Sequence, residues 1–147
     1  MATAAHPLLD VLVALFCRPG GAGEGGEEVA RVHIGWELRS GQWVAIGGPD
    51  GALLAWASWW LTDDAGLQRL RVESFADIVH SGCVMPLTNG TRAYVATATV
   101  VPGAPPAIYR KLYRAVEKAV AEVGARTIAG HLVKRDGRRC WHERSLK

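Results

Sequence analysis

The stretch YVATATVVPGAPPAIYRKLY, residues 94–113, constrains the fold more than any other part of the chain. Thr91 to Val101 is rich in β-branched residues and reads as a strand. Tyr94, Ala96, Ala98 and Val100 are expected on one face, with Val95, Thr97, Thr99 and Val101 on the other. A Pro-Gly loop follows, and then a helix of roughly 18 residues, which tolerates prolines in its first turn. Ile108, Leu112, Val116, Val120 and Val123 form its apolar stripe, and Gly124 is placed to cap it. Arg126 to Lys134 reads as a further strand. A strand, a helix and a strand in succession call for a right-handed crossover between parallel neighbours.

Other segments add antiparallel edges to that parallel pair. QWVAIGGPDGALLAWASWWL, 42–61, reads as two strands around a Pro49-Asp50-Gly51 turn, because proline fixes φ and glycine accepts positive φ. Its second strand, Ala52 to Leu61, is apolar on both faces and so is expected in a covered position. Asp136-Gly137 is a hairpin signal leading into Arg138 to Arg144. Residues 7–17 read as a short buried helix, 18–26 as a flexible glycine-rich loop, and the following segment as a helix opened by Glu27 and Glu28. Val29, Val32, His33 and Trp36 would share its inner face, making His33 more naturally a core histidine than a catalytic one. A helix is also read around Glu73 to His80, ended by Gly82. The fold class expected is α/β, a mixed β-sheet flanked by helices, in one domain over residues 1–147 with residues 1–28 as an N-terminal helix and loop.

Almost half of the 147 residues are apolar and six are tryptophan, which excludes a disordered chain. No apolar run approaches the roughly 18 residues that span a bilayer, and PLLDVLVALFC carries Asp10 with no basic residue before it, so it reads poorly as a signal peptide. A cytoplasmic protein is the expectation. Cys17, Cys83 and Cys140 lie far apart, as reduced thiols do, and Cys140, His142 and His131 lack the usual metal-ligand spacings, so no metal is expected. Trp59 and Trp60 have two readings, burial in the sheet or an exposed homodimer contact.

Charge is unevenly placed. After Gly103 there are eleven basic and four acidic residues, a net +7, which leaves −4 for the remainder. A basic end suits an acidic partner. One tryptophan, Trp141, among Arg138, Arg139 and Arg144 is thin support for nucleic-acid stacking, and that role is not expected.

The element order resembles the GNAT superfamily of acyltransferases. Within it, VARVHIGWELRSGQWVAI (29–46), LLAWASWW (53–60), TNGTRAYVATATVVPG (88–103) and AIYRKLYR (107–114) are similar to the toxin-activating lysine acyltransferases. That resemblance implies a sheet splayed between two parallel strands, with an acyl donor lying in the gap. The implied reaction moves an acyl group from acyl carrier protein, or from acyl-coenzyme A, to a protein lysine. The family works with a histidine between its first two helices and an aspartate in the strand before the Pro-Gly loop. Here the first region reads Cys17-Arg18-Pro19-Gly20 and the aspartate's position reads Thr97. The nearest candidates for the chemistry are therefore His33 and Thr97, although a threonine alone is no base. Gly103, Tyr109, Arg110, Lys111 and Arg114 are the candidates for donor binding. Pro105 and Pro106 remove two N–H donors from the helix start, which favours a basic helix face docking an acidic carrier over a pyrophosphate cradle. The alternative is a GNAT-like module, phage- or prophage-encoded, that kept the fold for binding protein and lost the chemistry.

Overall fold

The computed structural model describes residues 6–18, 26–73, 87–133 and 138–146. In chain order these form α1 (Leu9–Phe16), α2 (Gly26–Ser40), β1 (Trp43–Gly47), β2 (Leu53–Thr62), α3 (Asp64–Val72), β3 (Arg92–Val100), α4 (Ala107–Glu122), β4 (Thr127–Val133) and β5 (Arg139–Ser145). The strands make one mixed sheet in the order β1-β2-β3-β4-β5. Only β3 and β4 are parallel, and α4 is the crossover between them. The β1–β2 turn forms where Pro49-Asp50-Gly51 predicts it. Gly51 has φ +80°, and Asp50 Oδ1 accepts a hydrogen bond from the Ala52 amide at 3.0 Å.

Helices cover both faces. On one, α4 lays Ile108, Leu112, Val116 and Val120 against Ala55, Ala57, Trp59 and Leu61 of β2 and Ala93 of β3. On the other, Leu12, Val13 and Phe16 of α1 and Ala30, Ile34 and Leu38 of α2 close around Trp56. Further along that second face, Leu67 and Leu70 of α3 meet Trp60, Tyr94 and Ala129. With both faces covered, Ala55 to Thr62 is buried throughout, as its unbroken apolar pattern predicts. Trp59 and Trp60 belong to this interior and supply no exposed dimer contact.

Several local expectations are corrected. Val123 is exposed, so the α4 stripe ends at Val120, and Gly124 (φ +90°) turns the chain directly after it. The buried face of α2 is Ala30, His33, Ile34, Glu37 and Leu38, with Val32 exposed. The helical spacing was right, but the face is rotated because it carries two polar residues. A helix that the sequence reading did not anticipate occupies Asp64–Val72, where Asp63 caps it by accepting from the Gly66 amide at 2.8 Å. It ends at Glu73, whose backbone is extended. The rest of the helix expected at 73–80, with its Gly82 stop, and the Asp136-Gly137 turn lie outside the described residues.

The fourth correction matters for function. The β2–β3 register slips between Ser58 and Trp59: Ser58 pairs with Thr97 but Trp59 pairs with Val95, which leaves Ala96 as an extra residue. Such a bulge shifts every later side chain to the other face. Thr97 and Thr99 therefore join Tyr94 and Ala96 on the α2 side, not the opposite face that strict alternation predicts.

Candidate functional site

Two features meet on β3. The first is a parting of strands. β3 and β4 pair at three positions only, Arg92↔Thr127, Ala93↔Ile128 and Tyr94↔Ala129. Beyond them β3 runs on to Val100 held by β2, and β4 runs on held by β5. Each arm keeps its outer neighbour, and beyond Tyr94 and Ala129 the two inner edges part, with no strand partner among the described residues. Bare edges of this kind can pair with the amide groups of an extended ligand. The bulge at Ala96 sits where the parting begins.

The second feature is a buried polar cluster that the bulge completes. Glu37, on the inner face of α2, is only 2% exposed. Its Oε2 accepts a hydrogen bond from Thr97 Oγ1 at 3.2 Å. Thr97 Oγ1 lies 2.5 Å from Ser58 Oγ, its neighbour across the β2–β3 ladder. His33, one turn before Glu37, brings Nδ1 to 3.6 Å from Glu37 Oε1 and packs edge-on against Phe16. All four residues are buried. Burial in apolar surroundings pushes the Glu37 carboxyl above the usual carboxylate range, and the nearby His33, Thr97 and Ser58 oppose that rise.

His33 and Thr97 are thus brought together, through a residue that sequence reasoning passed over. The signal for Glu37 was its place on the helical series Ala30, His33, Ile34, Glu37, Leu38. Ser58 stood inside an apolar strand with nothing to pair it to until the register was known. The expected donor-binding residues lie elsewhere. Gly103 turns the β3–α4 loop with φ +83°, and Tyr109, Arg110, Lys111 and Arg114 are exposed on α4, across the sheet from Glu37. Arg110, Lys111, Arg114 and Lys118 have no ion-pair partner among the described residues. Between α4 and the end of β5 runs a groove of about 470 Å³ lined by Arg114, Lys118 and Arg144, the last paired with Glu117.

One further cation lies on the α1 side of β3. Arg18 donates to the Leu15 carbonyl at 2.5 Å, and its guanidinium reaches Thr99 Oγ1 at 3.4 Å and the Val100 carbonyl at 3.5 Å. Every one of these acceptors is neutral, and no carboxylate among the described residues pairs with this guanidinium at the end of β3. Among the described residues there is no group of three or more His, Cys, Asp or Glu able to hold a metal ion, and no helix long and apolar enough to cross a membrane.

No protein family's sequence pattern matches the chain, and no curated protein does. Among solved structures the fold is similar to that of the GphF GNAT-like decarboxylase in complex with isobutyryl-CoA. The TM-score is 0.59 at 17% identity, over 84% of this chain and 60% of that one. The chain thus spans about three fifths of that protein's length. A weaker likeness, with a TM-score of 0.44 and 14% identity, is to Chaetomium thermophilum Naa20 in complex with a bisubstrate analogue. It covers 71% of this chain and 50% of that one. At this identity the likeness establishes the fold: a GNAT-like mixed sheet of five strands with flanking helices.

Proposed function

We propose that the protein is an acyltransferase that takes an acyl group from a thioester donor and passes it to an amine, a protein lysine being the acceptor that the sequence resemblance implies. The observation that carries this reading is the parting of β3 from β4 after three pairs. It opens one edge of each strand to an extended, amide-bearing arm such as the one that links a thioester to coenzyme A or to a carrier protein. The similar GphF structure is in complex with an acyl-CoA, which supports a thioester as the donor.

Two surfaces bear on which donor is used. Arg18 offers positive charge at the end of β3, and Gly103 leaves the β3–α4 loop open. These suit the phosphates of either donor. Arg110, Arg114 and Lys118 recur at four-residue spacing along α4, a stripe of about 12 Å at 1.5 Å per residue. With Tyr109 and Tyr113 exposed beside it, the stripe fits an acidic protein better than a single phosphate. Acyl carrier protein is therefore the favoured donor, with acyl-coenzyme A second.

A binding module without chemistry has in its favour that the histidine and aspartate of the resembling family are not at the corresponding positions. Glu37 weighs against it, because a binder gains nothing from an ionisable group buried beside the parted strand. The deciding experiment supplies acyl carrier protein charged with an isotopically labelled chain, or acyl-coenzyme A, with a lysine-bearing peptide. A mass increase of one acyl group on the peptide is expected. No transfer from either donor between pH 5 and 10 would reject the transferase reading.

A further inference from the structure

Glu37 has no use in a purely structural account of α2. A carboxyl group 2% exposed on the buried face of α2 costs stability that an apolar side chain of the same size would not. The groups facing it are His33 on its own helix and the hydroxyls of Thr97 and Ser58 from the sheet. No lysine or arginine among the described residues pairs with it. Where a fold keeps such a group and bends a strand to reach it, function is the usual reason.

We infer that Glu37 is the proton acceptor of the site, and that it takes its proton through the hydroxyl of Thr97, which Ser58 holds in line. This rests on the transferase reading above. The direction of the chain follows from donor capacity. An ionised carboxylate only accepts, so the single Thr97 proton points at Glu37 Oε2. Ser58 must then donate its own proton to Thr97 Oγ1 across their 2.5 Å contact. Thr97 Oγ1 keeps one further lone pair, and because Thr97 is only 5% exposed the relay requires an incoming group to reach it from the parted edge of β3. Thr97 stands three residues past Tyr94, the last residue paired to β4, and so belongs to the stretch of β3 that borders the gap.

The transfer step balances on this chain. An acceptor ammonium gives one proton to Thr97 Oγ1 as the Thr97 proton passes to Glu37 Oε2, which leaves a neutral amine. The amine lone pair forms the C–N bond at the thioester carbonyl and the C–S bond breaks. The departing thiolate takes the second proton from the new nitrogen. Glu37 ends protonated and returns its proton to solvent between turnovers. The burial that raises its proton affinity makes it a better base near neutrality. Glu37 touches no substrate itself. It is a positioning and proton-storing residue that acts through Thr97.

The test is the pH–rate profile of acyl transfer to a lysine peptide, with thiol release as readout, for wild type, Glu37→Gln, Thr97→Val and Thr97→Ser. The inference expects an acidic limb in the wild-type profile that Glu37→Gln lacks. Glu37→Gln and Thr97→Val should each lower kcat by ~10²-fold or more while KM for the donor stays within about twofold. Thr97→Ser should restore most of the rate and the limb, which a role in packing would not explain. If Glu37→Gln does not fold, the Thr97 pair carries the comparison alone. A wild type that transfers while Glu37→Gln or Thr97→Val keeps both rate and limb overturns the relay and leaves the transferase reading intact. A wild type that neither binds nor transfers overturns that reading and the relay with it.

Discussion

Ser58 and Thr97 face each other across β2 and β3, oxygen to oxygen at 2.5 Å, one step before the ladder slips by a residue. Because Ala96 is the residue inserted by that slip, the hydroxyl pair, the turn of Thr97 towards Glu37 and the departure of β3 from β4 form one construction. A bulge adds local twist and bends its strand, and here the bend falls at the mouth of the gap.

Deleting Ala96 should therefore act on the gap rather than on the core. Without the extra residue Val95 still faces α4 and Thr97 still faces α2, so both packing layers survive. The strand loses its bend, and pairing to β4 is expected to extend past Tyr94↔Ala129. Amide hydrogen exchange should show new protection at Thr97 and at residues 130–132, with thermal stability within a few degrees of wild type and donor binding lost. Unchanged exchange together with unchanged donor binding would show that the bulge does not hold the strands apart.

Charge reversal on α4 should separate the two donors. Arg110→Glu, Arg114→Glu and Lys118→Glu change exposed residues without an ion pair among the described residues, so stability should move by less than about 0.5 kcal/mol for each. Transfer from acyl carrier protein should fall at least tenfold in the triple variant and lose its salt dependence, while transfer from acyl-coenzyme A stays within about threefold. Equal losses with both donors would place the stripe's role in the site itself rather than in carrier docking.

How far the chain could be read in advance follows from which forces are local. Apolar periodicity and turn chemistry fix the strand–helix–strand unit of Arg92 to Val133, the Pro49-Asp50-Gly51 turn and the covered strand Leu53–Thr62, because each is written in neighbouring residues. The bulge is not, since Ala96 has nothing in its identity that marks it as extra; only pairing with β2 reveals it. Glu37 and Ser58 were missed for the same reason. Each looks like a polar residue in an apolar run until a contact 60 residues away for Glu37, or 39 for Ser58, supplies its partner. The unanticipated helix Asp64–Val72 was legible in principle, through Asp63 as a cap.

Gly90 should resist substitution. It sits at φ +146° before β3, and a Cβ there would strike the Thr62 backbone where β2 ends. Both the conformation and the contact oppose any other residue, so Gly90→Ala should cost about 2 kcal/mol or more, read as a lower urea midpoint. Gly103→Ala shares the positive φ but meets open space, and should cost only about 1 kcal/mol. Equal losses at the two positions would mean that backbone strain alone, not the close approach to Thr62, sets the cost.

Glu37 should also leave a signature in stability that needs no substrate. Its carboxyl titrates above the usual range when folded, chiefly from burial, and near about 4.3 when unfolded. Between those two values the native state holds more protons than the unfolded one. The stability tied to this group is then fully present below about pH 4.3 and is lost as pH rises through the folded midpoint. Glu37→Gln keeps the shape and still accepts from Thr97, but removes the titration. Relative to wild type, the variant should therefore gain stability as pH goes from 4 to 8, by about 1.4 kcal/mol for each pH unit by which the folded midpoint is raised. Urea unfolding midpoints at several pH values measure this directly. A difference between the two proteins that stays flat across the range would mean that Glu37 titrates as an ordinary carboxylate, and a difference of opposite slope would mean that its hydrogen bonds outweigh its burial.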